Sequence, residues 1–196
     1  LILKRDEAYI GVMIDDLVTK GTEEPYRLLS SRSEYRLLLR HDNADKRLTE
    51  IGRKVGLVKD DRYHRYLKSK ENIEKAKLLL ENTQVGAKPE VITYLDSVGY
   101  PAYNGGLTAA ELIKRPHVTL DEVLKLLPSF DFSDLNPNDL FQLETDIKYE
   151  GYINKQRQEA KRLNKLEETL IPEGFVYDHL DGLRIEARQR LAKVKP

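Results

Sequence analysis

Between Thr108 and Pro137 the chain writes three helix starts and two helix stops within thirty residues, and this punctuation narrows the fold more than any other feature. Thr108 with Glu111, and Thr119 with Glu122, have capping-box spacing: the threonine hydroxyl accepts from the amide three residues on, and the glutamate reaches back to the threonine amide. Pro116 and Pro128 follow where those helices must end, because proline lacks the N–H and clashes with the preceding turn. Asn136 followed by Pro137 starts a third helix, with proline already shaped for the first helical position. Short helices separated by tight turns suit a compact bundle.

Apolar residues elsewhere recur mostly at helical spacing. Tyr63, Tyr66, Leu67, Ile73, Ala76 and Leu80 carry a long helix from about Lys59 to Glu81, and Val91 to Val98 a short one ending near Gly99. Tyr149, Ile153, Gln156, Ala160, Leu163 and Leu170 line one seam of a charged helix from Lys148 to Leu170, stopped by Pro172 and Gly174; Leu183 to Val194 starts a last one. Upstream, Asp42 or Asn43 caps a helix running to about Val55, with Gly56 as its stop. Ile10, Met13, Ile14, Leu17 and Val18 make Ala8 to Val18 an amphipathic helix, with a strand as the alternative. Asp15 and Asp16 point about 100° apart on such a helix and read as solvated carboxylates. Tyr35, Leu37 and Leu39 alternate with Arg36, Leu38 and Arg40, which favours a short strand. The expected fold class is therefore mainly α: a helical bundle over residues 58–196, preceded by a short α/β stretch over residues 1–57.

Composition excludes several functions. With no cysteine there is no disulfide and no thiolate metal site, and His41, His64, His117 and His179 lack ligand spacing. No apolar run approaches the roughly 20 residues needed to span a bilayer. The net charge of zero hides an uneven distribution. Residues 27–54 carry a net +4, residues 184–195 another +4, and residues 121–146 a net −6. This pattern is compatible with a basic face for nucleic acid and an acidic face turned elsewhere, or with solvated helical faces that vary in sign.

Arg27, Arg32, Arg36, Arg40 and Arg47 fall within twenty-one residues, interleaved with Tyr26 and Tyr35. Guanidinium binds phosphate through a planar fork that keeps its charge, and tyrosine offers a face on which a splayed base can stack. Arg32, Arg36 and Arg40 are spaced by four and form one stripe on either a strand or a helix. The other reading is that the arginines tie segments together through Glu23, Glu24, Glu34, Asp42 and Asp45. A weaker candidate set is Lys148, Tyr149, Tyr152 and Gln156, around Gly151; a third is Arg184, Arg188 and Arg190 near the end. The other cations of the long helix interleave with acids and read as a solvated face.

The segments YIGVMIDDLVTKGTEEPYR from Tyr9, SRSEYRLLLRHDNADKRLT from Ser31, IKYEGYINKQ from Ile147 and GL…EAR…L from Gly182 resemble, in order and spacing, the last third of one family. It is MnmG, or glucose-inhibited division protein A: the large flavin-dependent subunit of the enzyme that installs carboxymethylaminomethyl groups on the wobble uridine of tRNA. Arg184 stands where that family commonly has a small polar residue. The chain has no G-x-G-x-x-G, starts without Met, and reads as a C-terminal segment cut at both ends. The resemblance implies a cytoplasmic homodimer that binds FAD, takes electrons from NADH and works with a GTPase of the MnmE family. This segment would bind tRNA and dock partners; the alternative is a protein-interaction or dimerisation module without RNA contact.

Overall fold

A computed structural model describes residues 1–101, 103–127, 131–177 and 180–195; Pro128 as a helix stop, and His179, lie outside them. The order is α1 (Tyr9–Thr19), a 3-10 turn (Ser30–Arg32), α2 (Ala44–Lys54), α3 (Asp60–Asn82), β1 (Gln84–Val85), α4 (Pro89–Ser97), β2 (Leu107–Thr108), α5 (Ala109–Ile113), α6 (Leu120–Leu126), α7 (Pro137–Lys148), α8 (Glu150–Glu167) and α9 (Ile185–Val194). The fold is mainly helical, as the periodicity predicts. The chain divides into two compact units, residues 1–157 and 158–196. No described helix is long and apolar enough to cross a membrane.

In the first unit α3 is the central element, in contact with α2, α5 and α7. Its inward residues Ile73, Ala76 and Leu80 join Val91 and Leu95 of α4, Leu112 and Ile113 of α5, Val123 of α6 and Leu143 and Ile147 of α7 in one buried core. Each fully buried Leu or Ile contributes about 1.5–3 kcal/mol over an exposed one. The capping signals work as written: Thr108 Oγ1 accepts from the Glu111 amide at 3.1 Å, and Glu111 accepts from the Thr108 amide at 2.8 Å. Asn136 caps α7 in a reciprocal box with Asp139, whose buried carboxylate also accepts from Ser69 Oγ of α3 at 2.7 Å. Thr119 makes only the forward bond, to the Glu122 amide.

The Glu150 carboxylate clamps the start of α8 to the bundle, accepting from Lys77 Nζ and Lys114 Nζ at 2.7 Å each. The Lys114 and Lys77 hydrogen bonds pull its pKa down from 4.5 to about 2. A carboxylate whose folded pKa is depressed stabilises above its unfolded pKa and loses that contribution as pH falls through the folded value. We expect Glu150→Gln to cost about 1–3 kcal/mol at neutral pH. The gap between variant and parent should close between pH 4.5 and 2, which urea titrations across that window will measure.

Three local expectations are corrected. Tyr35 to Leu39 form a turn instead of a strand, with the Leu38 and Leu39 amides both donating to Tyr35 O, at 3.0 and 2.9 Å. The described strands are instead β1 and β2, paired antiparallel with Gln84 opposite Thr108 and Val85 opposite Leu107; two residues each give no readable alternation. The apolar stripe of α1 faces outward: Ile10, Ile14, Leu17 and Val18 are exposed, while Gly11, Val12 and Asp16 are buried. Gly11 fixes that orientation, because a side chain there would collide with the Leu3 and Lys4 carbonyls. Finally, the helix expected from Lys148 to Leu170 is α8, which begins two residues later, at Glu150, and stops three residues earlier, at Glu167; the helix announced by Asn136 and Pro137 is α7. Ile153 and Ala160 of its predicted seam are buried, but Leu170 is exposed.

Candidate nucleic-acid interface

Two ion clusters shape the arginine-rich segment. In the first, Asp16, only 3 % exposed, accepts from Arg5 Nη1, Lys20 Nζ and Tyr26 OH, each at 2.8 Å. Arg5 also reaches Asp15 and, at 2.7 Å, Glu34. Asp16 is thus a buried hub and not the solvated carboxylate its neighbourhood in the sequence suggests. The Lys20 hydrogen bond, with those of Arg5 and Tyr26, outweighs burial and holds its pKa well below the usual carboxylate range. The hub tethers the loop after α1 through Tyr26, and the Arg32 guanidinium lies 4.9 Å from the centre of the Tyr26 ring.

In the second cluster Arg40 forks onto Asp42 at 3.1 Å and reaches Asp146 of α7 at 2.7 Å, which Lys46 also binds at 3.0 Å. Burial opposes the charge on Arg40, yet its bonds to Asp42 and Asp146 raise its pKa. Arg47 donates to the Glu7 and Arg40 carbonyls and to Asn43 Oδ1. Fully buried Gln142 completes the joint by donating to the Asp42 carbonyl. Arg40 is therefore turned inward, away from the stripe expected with Arg32 and Arg36, because the turn at Tyr35 aims it at two carboxylates.

What stays outside is Arg27, Arg32 and Arg36, all exposed. Arg27 and Arg36 make no side-chain hydrogen bond or ion pair with another described residue. Tyr26 is partly exposed, whereas Tyr35 is 6 % exposed and packed within the turn. Arg36 stands on an open cleft of about 540 Å³ with Tyr9, Leu28, His41, Phe141 and Thr145. Phe141 is 55 % exposed. Tyr149, at the break between α7 and α8, and Tyr152 in the first turn of α8 are both exposed. Lys148 pairs with Glu144 at 2.6 Å, and Gln156 donates to the Glu34 carbonyl at 3.3 Å. In the second unit Arg184 and Arg190 are exposed, and Arg188 Nε donates to the Leu183 carbonyl at 3.2 Å.

Sequence reasoning missed Tyr9, His41 and Phe141, and one signal could have found Phe141. Counted from the cap at Asn136, Leu143 and Ile147 take the inner phase of α7, and Phe141 falls off it.

Fold and site together define a helical domain with an exposed basic and aromatic rim next to structural ion clusters. A family profile described as the tRNA modifying enzyme MnmG/GidA C-terminal helical domain matches residues 60–157. The tRNA uridine 5-carboxymethylaminomethyl modification enzyme MnmG of Geobacillus thermodenitrificans is 50% identical over all 196 residues, and that of Listeria welshimeri is 47% identical. The chain spans 31% of the length of each. The crystal structure of Aquifex aeolicus GidA, form II, is 39% identical and superposes with a TM-score of 0.72 over the whole chain and 30% of its own. The chain belongs to the MnmG/GidA family.

Proposed function

We propose that this chain is the tRNA-binding and partner-docking part of an enzyme that installs the carboxymethylaminomethyl group on C5 of the wobble uridine. Residues 1–57 complete a flavin-binding body and residues 58–196 form a helical C-terminal domain. FAD and NADH are assigned to the two-thirds of the relatives' length that this chain does not span. The described strands are two residues long and antiparallel, unlike the parallel strand-turn-helix that receives a pyrophosphate. The working enzyme is a cytoplasmic homodimer that acts with a GTPase of the MnmE family. The second and third basic sets, with Lys148, Tyr149, Tyr152 and Gln156 and with Arg184, Arg188 and Arg190, extend the tRNA surface.

The observation that carries this reading is the division of labour among the arginines. Arg40 and Arg47 are consumed by internal partners, while Arg27 and Arg36 keep their forks free at the surface. Phosphate is the ligand that this geometry suits. The exposed apolar stripe of α1 favours protein docking alongside RNA binding.

Fluorescence anisotropy with labelled tRNA tests it. Arg36→Ala should weaken binding by roughly tenfold or more, the size of a lost charge-assisted hydrogen bond. Arg36→Lys should weaken it nearly as much, since lysine keeps the charge and loses the fork. Parent-like affinity in both variants would contradict the assignment.

A further inference from the structure

The cleft beside Arg36 brings two aromatic side chains, Tyr9 and Phe141, together with the apolar Leu28 and Leu39, and the ion pair of Arg40 with Asp42 also lines it. Tyr9 comes from the first turn of α1 and Phe141 from α7, and Arg36 and His41, both exposed, line the same cleft. Phe141 is largely exposed and Tyr9 partly so, and neither ring stacks on another aromatic ring among the described residues. Phe141 cannot turn inward, because the inner face of α7 is filled by fully buried Leu143 and Ile147. About 540 Å³ is within the range of small-molecule pockets and admits one nucleotide but not a base-paired step.

We infer that this cleft takes a single unstacked nucleotide of an RNA loop, its base laid on Phe141 and Tyr9 and its phosphate held by Arg36. The inference rests on the tRNA-binding reading and adds a site to it. A purely apolar ligand would leave the Arg36 fork without purpose, and a paired helix presents no base face to a ring; a splayed base satisfies both. The Thr145 hydroxyl and the His41 imidazole supply hydrogen-bonding groups for the base edge or the ribose.

The test uses RNA hairpins with 2-aminopurine placed at each loop position in turn, bound to the 196-residue chain. Stacking on a protein ring changes the fluorescence of this base, and at one loop position binding should do so. Phe141→Ala should abolish that change and weaken binding roughly 5- to 100-fold, while Phe141→Trp retains both. Because the ring is largely exposed, the melting temperature of Phe141→Ala should stay near the parent's. Binding that depends on salt and on Arg36, with no responsive loop position or with a response indifferent to Phe141→Ala, overturns the cleft and leaves the tRNA reading standing. An equal response in fully paired RNA also overturns it. No RNA binding by the parent chain refutes the tRNA reading, and the cleft with it.

Discussion

Arg40→Ala lowers the free energy of unfolding by about 3–5 kcal/mol, because it leaves the buried Asp42 and the half-buried Asp146 facing each other without their common cation. Lys46 remains on Asp146, but nothing replaces the fork on Asp42. The Arg40–Asp146 pair also spans the segment before α2 and helix α7, so its loss loosens that contact, although the main-chain carbonyls that bind Arg47 and Gln142 remain. Urea denaturation of parent and variant measures the effect. A loss under 1 kcal/mol would mean that the cluster is dispensable.

Asp16→Ala should cost about 3 kcal/mol, since it removes at once the buried acceptor shared by Arg5, Lys20 and Tyr26 and leaves Arg5 only Asp15 and Glu34 as acidic partners. The folded pKa of Asp16 is depressed, so its contribution is complete above the ordinary carboxylate range and falls away as pH drops below about 4. The parent should therefore lose stability in acid more steeply than Asp16→Asn, which has no charge to lose. Parallel acid profiles would contradict this. Untethering Tyr26 should also make the loop between α1 and Ser30 more sensitive to proteolysis.

Where the chain states its own boundaries chemically, the fold was legible. Thr108 with Glu111 and Asn136 with Pro137 are local signals, complete within four residues, and both cap their helices as read. The core seam of α3 was legible, and that of α8 at Ile153 and Ala160, because a period of 3.6 survives whatever packs against it. The phase of α1 was not legible. Its apolar stripe gave the better moment, but Arg5 and the closely packed backbone at Gly11 decide which side is inside, and neither is visible as periodicity. The same holds for the arginines. A spacing of four says that Arg32, Arg36 and Arg40 can share a face; only the turn at Tyr35 and the distant Asp146, 106 residues on, assign Arg40 inward and Arg36 outward. Phe141, which lines the cleft with Arg36, belongs to a helix more than a hundred residues away, and that proximity has no local signature.

The division between structural and RNA-facing arginines is tested most directly by the slope of log affinity against log salt for tRNA. Parent, an Arg27/Arg32/Arg36 triple alanine variant and Arg40→Ala should be compared below the melting temperature of each. Each lost phosphate contact makes the slope shallower by roughly 0.7–0.9, so the triple variant should lose about 2–3 while Arg40→Ala keeps the parent's slope despite its lower stability. A triple variant with the parent's slope and affinity, or an Arg40→Ala slope reduced as much as the triple's, would contradict the account.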